Sequence, residues 1–397
     1  MRMVLFGFIG RLPLSMVGLG CVLLVEDYTG SYGLGGAVAA TGAVATALLG
    51  PVIGRLADCL GQRRVLFPVL VVHITGGLIF LFSVRSQTGP RPWPLWIVFV
   101  AVFVAGAALP PISSMIRTRW SHLLKGSPRL QTALAFESVV DEMVFIIGPV
   151  LVTFLSTTGH TTSGIVTAFV LAVVGSLLFA AQFHTEPPPT GLHPRHGKLA
   201  IRSPGLRLLC LVGLALGTVL GVLEVSLVAF ADEVGRKAFA GALIAALAVG
   251  SMLSGVSWGL MRWRNELRRR LAYTLAILAI CTVPLLLCES LWLMMFFVFI
   301  AGTAVSPSLI GVFTLTEQLV PSVAVTEGFT WLGTAIGLGV ALGAGLSGRL
   351  VDISGANSAF SVAVVAAGAA SVAVLIGRRL LDVGRLLRRD AIQAPLV

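Results

Sequence analysis

Twelve apolar runs, most of them about 20 residues long, leave this chain few folds to choose from, because that length lets an α-helix cross the hydrocarbon layer of a bilayer. They fall at 4–25, 34–54, 65–84, 95–116, 134–156, 163–184, 207–230, 238–261, 271–288, 291–314, 327–350 and 357–377. Inside lipid no water bonds to the backbone, so a spanning segment must be a helix or part of a closed barrel. Barrel strands alternate polar and apolar residues, and these runs do not. The chain therefore reads as an all-α integral membrane protein. Composition agrees: 11% of its 397 residues are charged, against about 25% in soluble domains. The start, Met1-Arg2-Met3, leads into the first run without a cleavage site and reads as the first helix, not a removed signal peptide.

The net charge of +11 does not point to nucleic acid. With the N-terminus inside, alternate connections hold 22 of the Lys and Arg residues, and the opposite ones hold only Arg85, Arg91, Arg236, Lys237 and Arg349. That is the positive-inside bias of membrane proteins, and it predicts both termini in the cytoplasm. The five cysteines form no CxxC pair and read as small apolar residues, with no metal site and no disulfide framework.

Residues 185–206 are rich in Pro and basic residues and lack an apolar period, so they read as a cytoplasmic linker. The linker separates a bundle at 1–184 from a bundle at 207–377, with a tail at 378–397. The halves read as repeats. A shift of 205 pairs Gly50 with Gly255, Gly54 with Gly259, and Arg63-Arg64 with Arg268-Arg269. A shift of 196 pairs Ala105-Gly106 with Ala301-Gly302 and Pro111 with Pro307, and a shift of 190 pairs Glu137 with Glu327. Parallel six-helix halves of this kind are one transporter design.

Between spans two and three, Gly50 to Arg64 crowd small and charged residues into about three helical turns. Gly54 and Gly61 allow a close hairpin. Asp58 can accept bonds from Arg63 or Arg64, or face the positive N-terminus of a helix in the other half. The plainer reading of Arg63 and Arg64 is topology alone. The repeat carries Trp263 where Asp58 stands, so a clasp made here is one-sided.

Gly54, Arg55, Asp58, Gly61, Arg63 and Arg64, with the six-plus-six spans and the linker, resemble the major facilitator superfamily along essentially the whole chain. The resemblance implies two pseudo-symmetric six-helix bundles working by alternating access. It also implies that this hairpin latches the cytoplasmic side. Gly148-Pro149 in span five resembles the Gly-Pro element of family antiporters, although Val144 and Val152 stand where further glycines belong. The family's span-four arginine has no clean match, since Arg117 and Arg119 fall at the end of that run.

Ionisable residues within lipid tend to mark pathways. Arg11 lies about eight residues into span one, roughly 12 Å deep. Glu137, Asp141 and Glu142 lie in the first half of span five, with Glu137 and Asp141 one turn apart. The expected pairs are Arg11 with Asp141 or Glu142, and Arg117 or Arg119 with Glu137. They form either a static ion-pair cluster or a switch sensitive to pH or substrate. Glu224 in span seven is a candidate cavity acid or a residue at a pocket edge. Glu327 suits the N-terminus of span eleven, or a docking point for the latch. His73 reads as a packed histidine. The tail from Gly377 reads as an amphipathic helix on the inner leaflet or as a solvated extension.

No GxxxxGK[ST] or HExxH sequence is present, and the one GxSxG, Gly255 to Gly259, lies within the eighth apolar run and not at a strand-to-helix turn, so no ATPase or membrane enzyme is expected and no cofactor is implied. The expected activity is secondary transport in the cell membrane, with protons as coupling ion and efflux of a small, largely apolar molecule by a monomer. The alternatives are an uptake carrier for an anionic or sugar-like solute, or a lipid-handling protein.

Overall fold

A computed structural model describes residues 2–30, 32–127, 129–158, 160–191, 200–236, 239–261 and 266–382. Among them, twelve helical stretches are long and apolar enough to cross a membrane. They are α1 (Arg2–Thr29), α2 (Tyr32–Leu60), α3 (Gln62–Arg85), a fourth span in two pieces, α4 (Leu95–Ala107) and α5 (Ile112–Leu123), then α6 (Arg129–Thr158) and α7 (Thr162–Ala180). The second series is α8 (Pro204–Glu233), α9 (Ala240–Leu260), α10 (Leu267–Thr282), α11 (Leu291–Leu319), α12 (Val325–Ser354) and α13 (Ala356–Ile376).

Helices α2, α5 and α11 run past the ends of their apolar runs, to Leu60, Leu123 and Leu319. The fourth span breaks at Leu109-Pro110-Pro111, where two prolines in succession remove two N–H donors and also bias the preceding residue away from helix. The repeat-equivalent Pro307 stands alone and stays inside an unbroken α11.

The chain forms two compact units, Met1–Lys125 with Val140–Gly197, and Gly126–Val139 with Lys198–Val397. Helix α6 is shared between them. Its first turns belong to the second unit, where Thr132 Oγ1 donates to the Gly259 carbonyl at 2.8 Å.

In the first unit, Met3, Ile53, Val65, Ile112 and Phe179 form one core at the end bearing the N-terminus. Cys21, Leu24, Val38, Phe80 and Ile165 form another at the opposite end. The units share a construction detail. A Cβ on Gly106 of α4 would strike the Gly42 carbonyl of α2, and one on Gly302 of α11 would strike the Leu247 carbonyl of α9. The internal shifts of 196 and 205 residues pair these same positions. One close helix crossing is thus built twice, and each copy needs a residue without a side chain.

Candidate functional site

The embedded charges meet in the first unit. Arg11 is 2% exposed, as is Arg117. Arg11 Nη1 donates to Asp141 Oδ1 at 2.9 Å, and Arg117 Nη2 donates to Asp141 Oδ2. Ser113 Oγ lies 3.5 Å from Oδ1, and Arg117 Nη1 donates to the Ser113 carbonyl at 3.2 Å. Both carboxylate oxygens are therefore held, while the Asp141 side chain keeps 26% of its surface open. Of the two partners open to Arg11 in the sequence, Asp141 is the one observed. Arg117, expected near Glu137 if paired there at all, closes on Asp141. It can do so because α5 restarts after Pro111 and carries it inside the span. The sequence had ended this span at residue 116. Glu137 is fully buried in the part of α6 that belongs to the second unit, and Glu142 is half-buried.

Gly148-Pro149 packs seven residues further along α6. A Cβ on Gly148 would strike Ser15 Oγ of α1. That hydroxyl donates to the Val144 carbonyl at 2.8 Å. Pro149 removes the N–H that would have bonded four residues back, so the helix is weakened beside the charge cluster and braced by Ser15. His73 is buried in α3, with Nδ1 2.7 Å from the Ala105 carbonyl and its ring against Phe169.

The hairpin between α2 and α3 is shorter than its sequence suggests. Gly54, Arg55 and Asp58 are helical, as are Arg63 and Arg64, and Gly61 alone turns the chain, at φ 97°. That conformation strains any residue with a Cβ. Arg63 and Arg64 are exposed, and among the described residues the guanidiniums of Arg55, Arg63 and Arg64 join no ion pair. The linker closes on the turn instead. Thr190 donates through N and Oγ1 to the Asp58 carbonyl, both at 3.0 Å. Glu186 Oε1 accepts the Arg63 N–H at 3.0 Å, placing a carboxylate on the positive N-terminus of α3.

Beneath it lies a cluster around Arg119, expected beside Glu137 as the alternative to Arg117 but held by other partners. Arg119 is 0% exposed. It donates to Gln62 Oε1 at 2.8 Å, to the Gln182 carbonyl at 3.0 Å and to Thr185 Oγ1 at 2.8 Å, and it stacks 3.8 Å over Phe179. The signal was a second arginine two residues after Arg117, on the other side of the same helix.

In the second unit, Glu224 is exposed along α8, whereas Leu216, at the repeat position of Arg11 under the loop-two shift, is 2% exposed within the core. Glu327 is buried in the first turn of α12 and accepts the Ala200 N–H at 3.0 Å. It therefore anchors the end of the linker. Trp263 and the tail beyond Asp382 lie outside the described residues. All five cysteines are free, and among the described residues no group of three or more His, Cys, Asp or Glu is placed to hold a metal.

Twelve spans in a duplicated design, with Arg11, Arg117 and Asp141 meeting among the helices of one copy, define a transporter fold. The chain belongs to the Major Facilitator Superfamily, whose sequence pattern matches residues 3–286. Its members are membrane transporters of small molecules. No curated protein sequence matches. Among solved structures, a bacterial homologue of the iron transporter ferroportin in its outward-facing state superposes with a TM-score of 0.75 at 15% identity, covering 94% of this chain and 98% of that one. The human organic anion transporter MFSD10 gives 0.69 at 15% identity, with 96% and 99% covered. The transporter FucP in its outward conformation gives 0.71 at 12%, with 94% and 97% covered. At these identities the likeness is one of fold.

Proposed function

We propose that the protein is a proton-coupled exporter of a small, largely apolar molecule, working by alternating access as a monomer in the cell membrane with both termini cytoplasmic. The observation that carries this reading is Asp141, a carboxylate inside a span, held through both oxygens by Arg11 and Arg117 yet partly open. Protonating Asp141 or bringing a cationic group to it would loosen both guanidiniums together, and such a change can be transmitted along α1 and α5. Gly148-Pro149, which resembles the Gly-Pro element of family antiporters, supports export, and Pro149 weakens α6 beside that cluster. Glu224 serves as the acid of the second unit. Gly54, Arg55, Asp58, Gly61, Arg63 and Arg64 form the cytoplasmic latch, and the turn at Gly61 fixes its geometry.

A carrier for anionic solutes is the second reading, favoured by two guanidiniums converging on one carboxylate. Buried Leu216 weighs against it, since the second unit offers no matching cation at that position.

Transport into proteoliposomes under an imposed pH gradient separates these readings. The wild type is expected to move an apolar cation or neutral solute against the proton flow. Asp141→Asn should abolish the dependence on the gradient, Glu224→Gln should reduce it, and Asp58→Asn should slow turnover without changing coupling. Intact transport and pH dependence in Asp141→Asn would overturn the proton-coupled reading. Uptake of organic anions that is lost in Arg11→Gln would establish the second.

A further inference from the structure

In the second unit, the first turns of α10 and the end of α13 enclose a cavity of about 440 Å³. Arg268, Arg269, Arg378 and Arg379 line it, with Asp382. Arg268 is held on two sides, its Nε donating to Glu266 Oε2 at 2.8 Å and its Nη1 to Asp382 Oδ2 at 3.2 Å. Arg269 Nε is 3.8 Å from the same Glu266 oxygen. Among the described residues, the guanidiniums of Arg378 and Arg379 join no ion pair. Among the described residues, four guanidiniums thus face the carboxylates of Glu266 and Asp382, an excess of positive charge.

The remaining wall is apolar. Tyr273 is 58% and Leu375 53% exposed. Below them Ile277 continues the face of α10, and Val372 continues that of α13. The helices are tied there by Ser371 Oγ donating to the Ala272 carbonyl at 2.9 Å. Both helices are membrane spans, and the arginines stand at their ends, where hydrocarbon gives way to headgroups. A cluster of guanidiniums therefore stands at the end of an exposed apolar surface.

In the first unit Arg63 and Arg64 occupy the repeat positions of Arg268 and Arg269, but α7 is followed by Phe183-His184-Thr185-Glu186 where α13 is followed by Gly377-Arg378-Arg379, and Glu186 covers the turn. The pair Arg378-Arg379 is thus not a by-product of the duplicated fold.

We propose that this cavity binds the phosphodiester headgroup of an anionic phospholipid, with Arg269, Arg378 and Arg379 on the phosphate and the acyl chains along Tyr273 and Leu375. Guanidiniums suit phosphate because their fork donates two parallel hydrogen bonds. The apolar wall selects a lipid over a free phosphate, since inorganic phosphate has nothing to lay against it. The site does not depend on which solute the protein carries.

The test uses the full-length protein in detergent, titrated with phosphatidylglycerol, phosphatidylcholine or inorganic phosphate, with bound lipid counted by native mass spectrometry. The wild type should retain one phosphatidylglycerol, and neither phosphatidylcholine nor inorganic phosphate at the same concentration should displace it. Affinity should fall about fivefold in Arg269→Gln and about thirtyfold in the double variant R378Q/R379Q, at the strength typical of a basic side chain near an anionic membrane surface. The double variant R85Q/R91Q, which loses the same charge elsewhere, should bind as the wild type does. If R378Q/R379Q does not fold, R378K/R379K keeps the charge and loses the fork, and an intermediate fall is expected. Unchanged affinity in R378Q/R379Q and R378K/R379K, an equal loss in R85Q/R91Q, or full displacement by inorganic phosphate would each overturn the proposal.

Discussion

Spans one and five in the first unit correspond, in the internal repeat, to spans seven and eleven in the second, yet the two pairs are joined by different physics. In the first, α1 meets α6 through Arg11 and Asp141, with Arg117 of α5 closing on the same carboxylate. In the second, α8 meets α12 through small residues. Cβ atoms on Gly217 and Gly221 would strike the carbonyls of Ile336 and Val340, and ones on Gly339 and Gly343 would strike those of Leu214 and Thr218. Glycine packing of this kind has one tight arrangement and holds it by dispersion over a close approach. An ion-pair junction loses its attraction when its carboxylate is protonated or a competing charge arrives. The proposed mechanism therefore places the switch at the first junction and the fixed contact at the second.

Removing charge at the first junction is the strongest way to break this contrast. Asp141→Ala leaves two buried guanidiniums without that counter-charge and should destabilise the protein by about 3–5 kcal/mol, read from thermal unfolding in detergent. The double variant Arg11→Leu with Asp141→Leu should cost less than the sum of its parts, which a double-mutant cycle measures. Overpacking the second junction comes next. Gly217→Val forces a side chain onto the Ile336 carbonyl and should cost about 1–3 kcal/mol, with no change in the pH dependence of whatever transport survives. If that variant altered pH dependence as strongly as Asp141→Asn, the division of labour between the junctions would be wrong.

A smaller effect sharpens the comparison at the arginine-rich ends. Glu186→Gln removes the carboxylate from the N-terminus of α3 and should cost about 0.5 kcal/mol. Smallest is Glu266, which is exposed. The Arg268 guanidinium donates to it, and this bond, aided by the charges of Arg268 and Arg269 against that of Asp382, holds its carboxyl below the usual glutamate range. A lowered value means its contribution is present above the ordinary glutamate pKa and is lost as pH falls through the folded one. Wild type and Glu266→Gln should therefore differ slightly near neutral pH and converge in acid, as followed by unfolding midpoints across that range.

Much of the candidate site was legible in the sequence because lipid makes charge conspicuous. Arg11 and Asp141 stand out against their apolar neighbours and lie at matching depths. The part played by Arg117 was not legible, because it depends on where a helix broken at Pro110-Pro111 resumes. Glu186 was hidden in a segment without periodicity, and only a chain path returning to Gly61 gives it a role. Arg119 carried too weak a signal, since a buried arginine and one at a span end look alike until their partners are seen.

The sequence by itself determined the number of spans, the duplication and the arginine-rich side, because each follows from a cost counted along the chain: apolar length against bilayer thickness, and the energy of placing charge in lipid. The tertiary structure alone decided which charges meet, which end of a helix receives a carboxylate, and that two arginine pairs far apart in sequence enclose one cavity. Those outcomes depend on distances between helices, and helix packing sets them through backbone carbonyls and glycines whose partners local sequence does not encode.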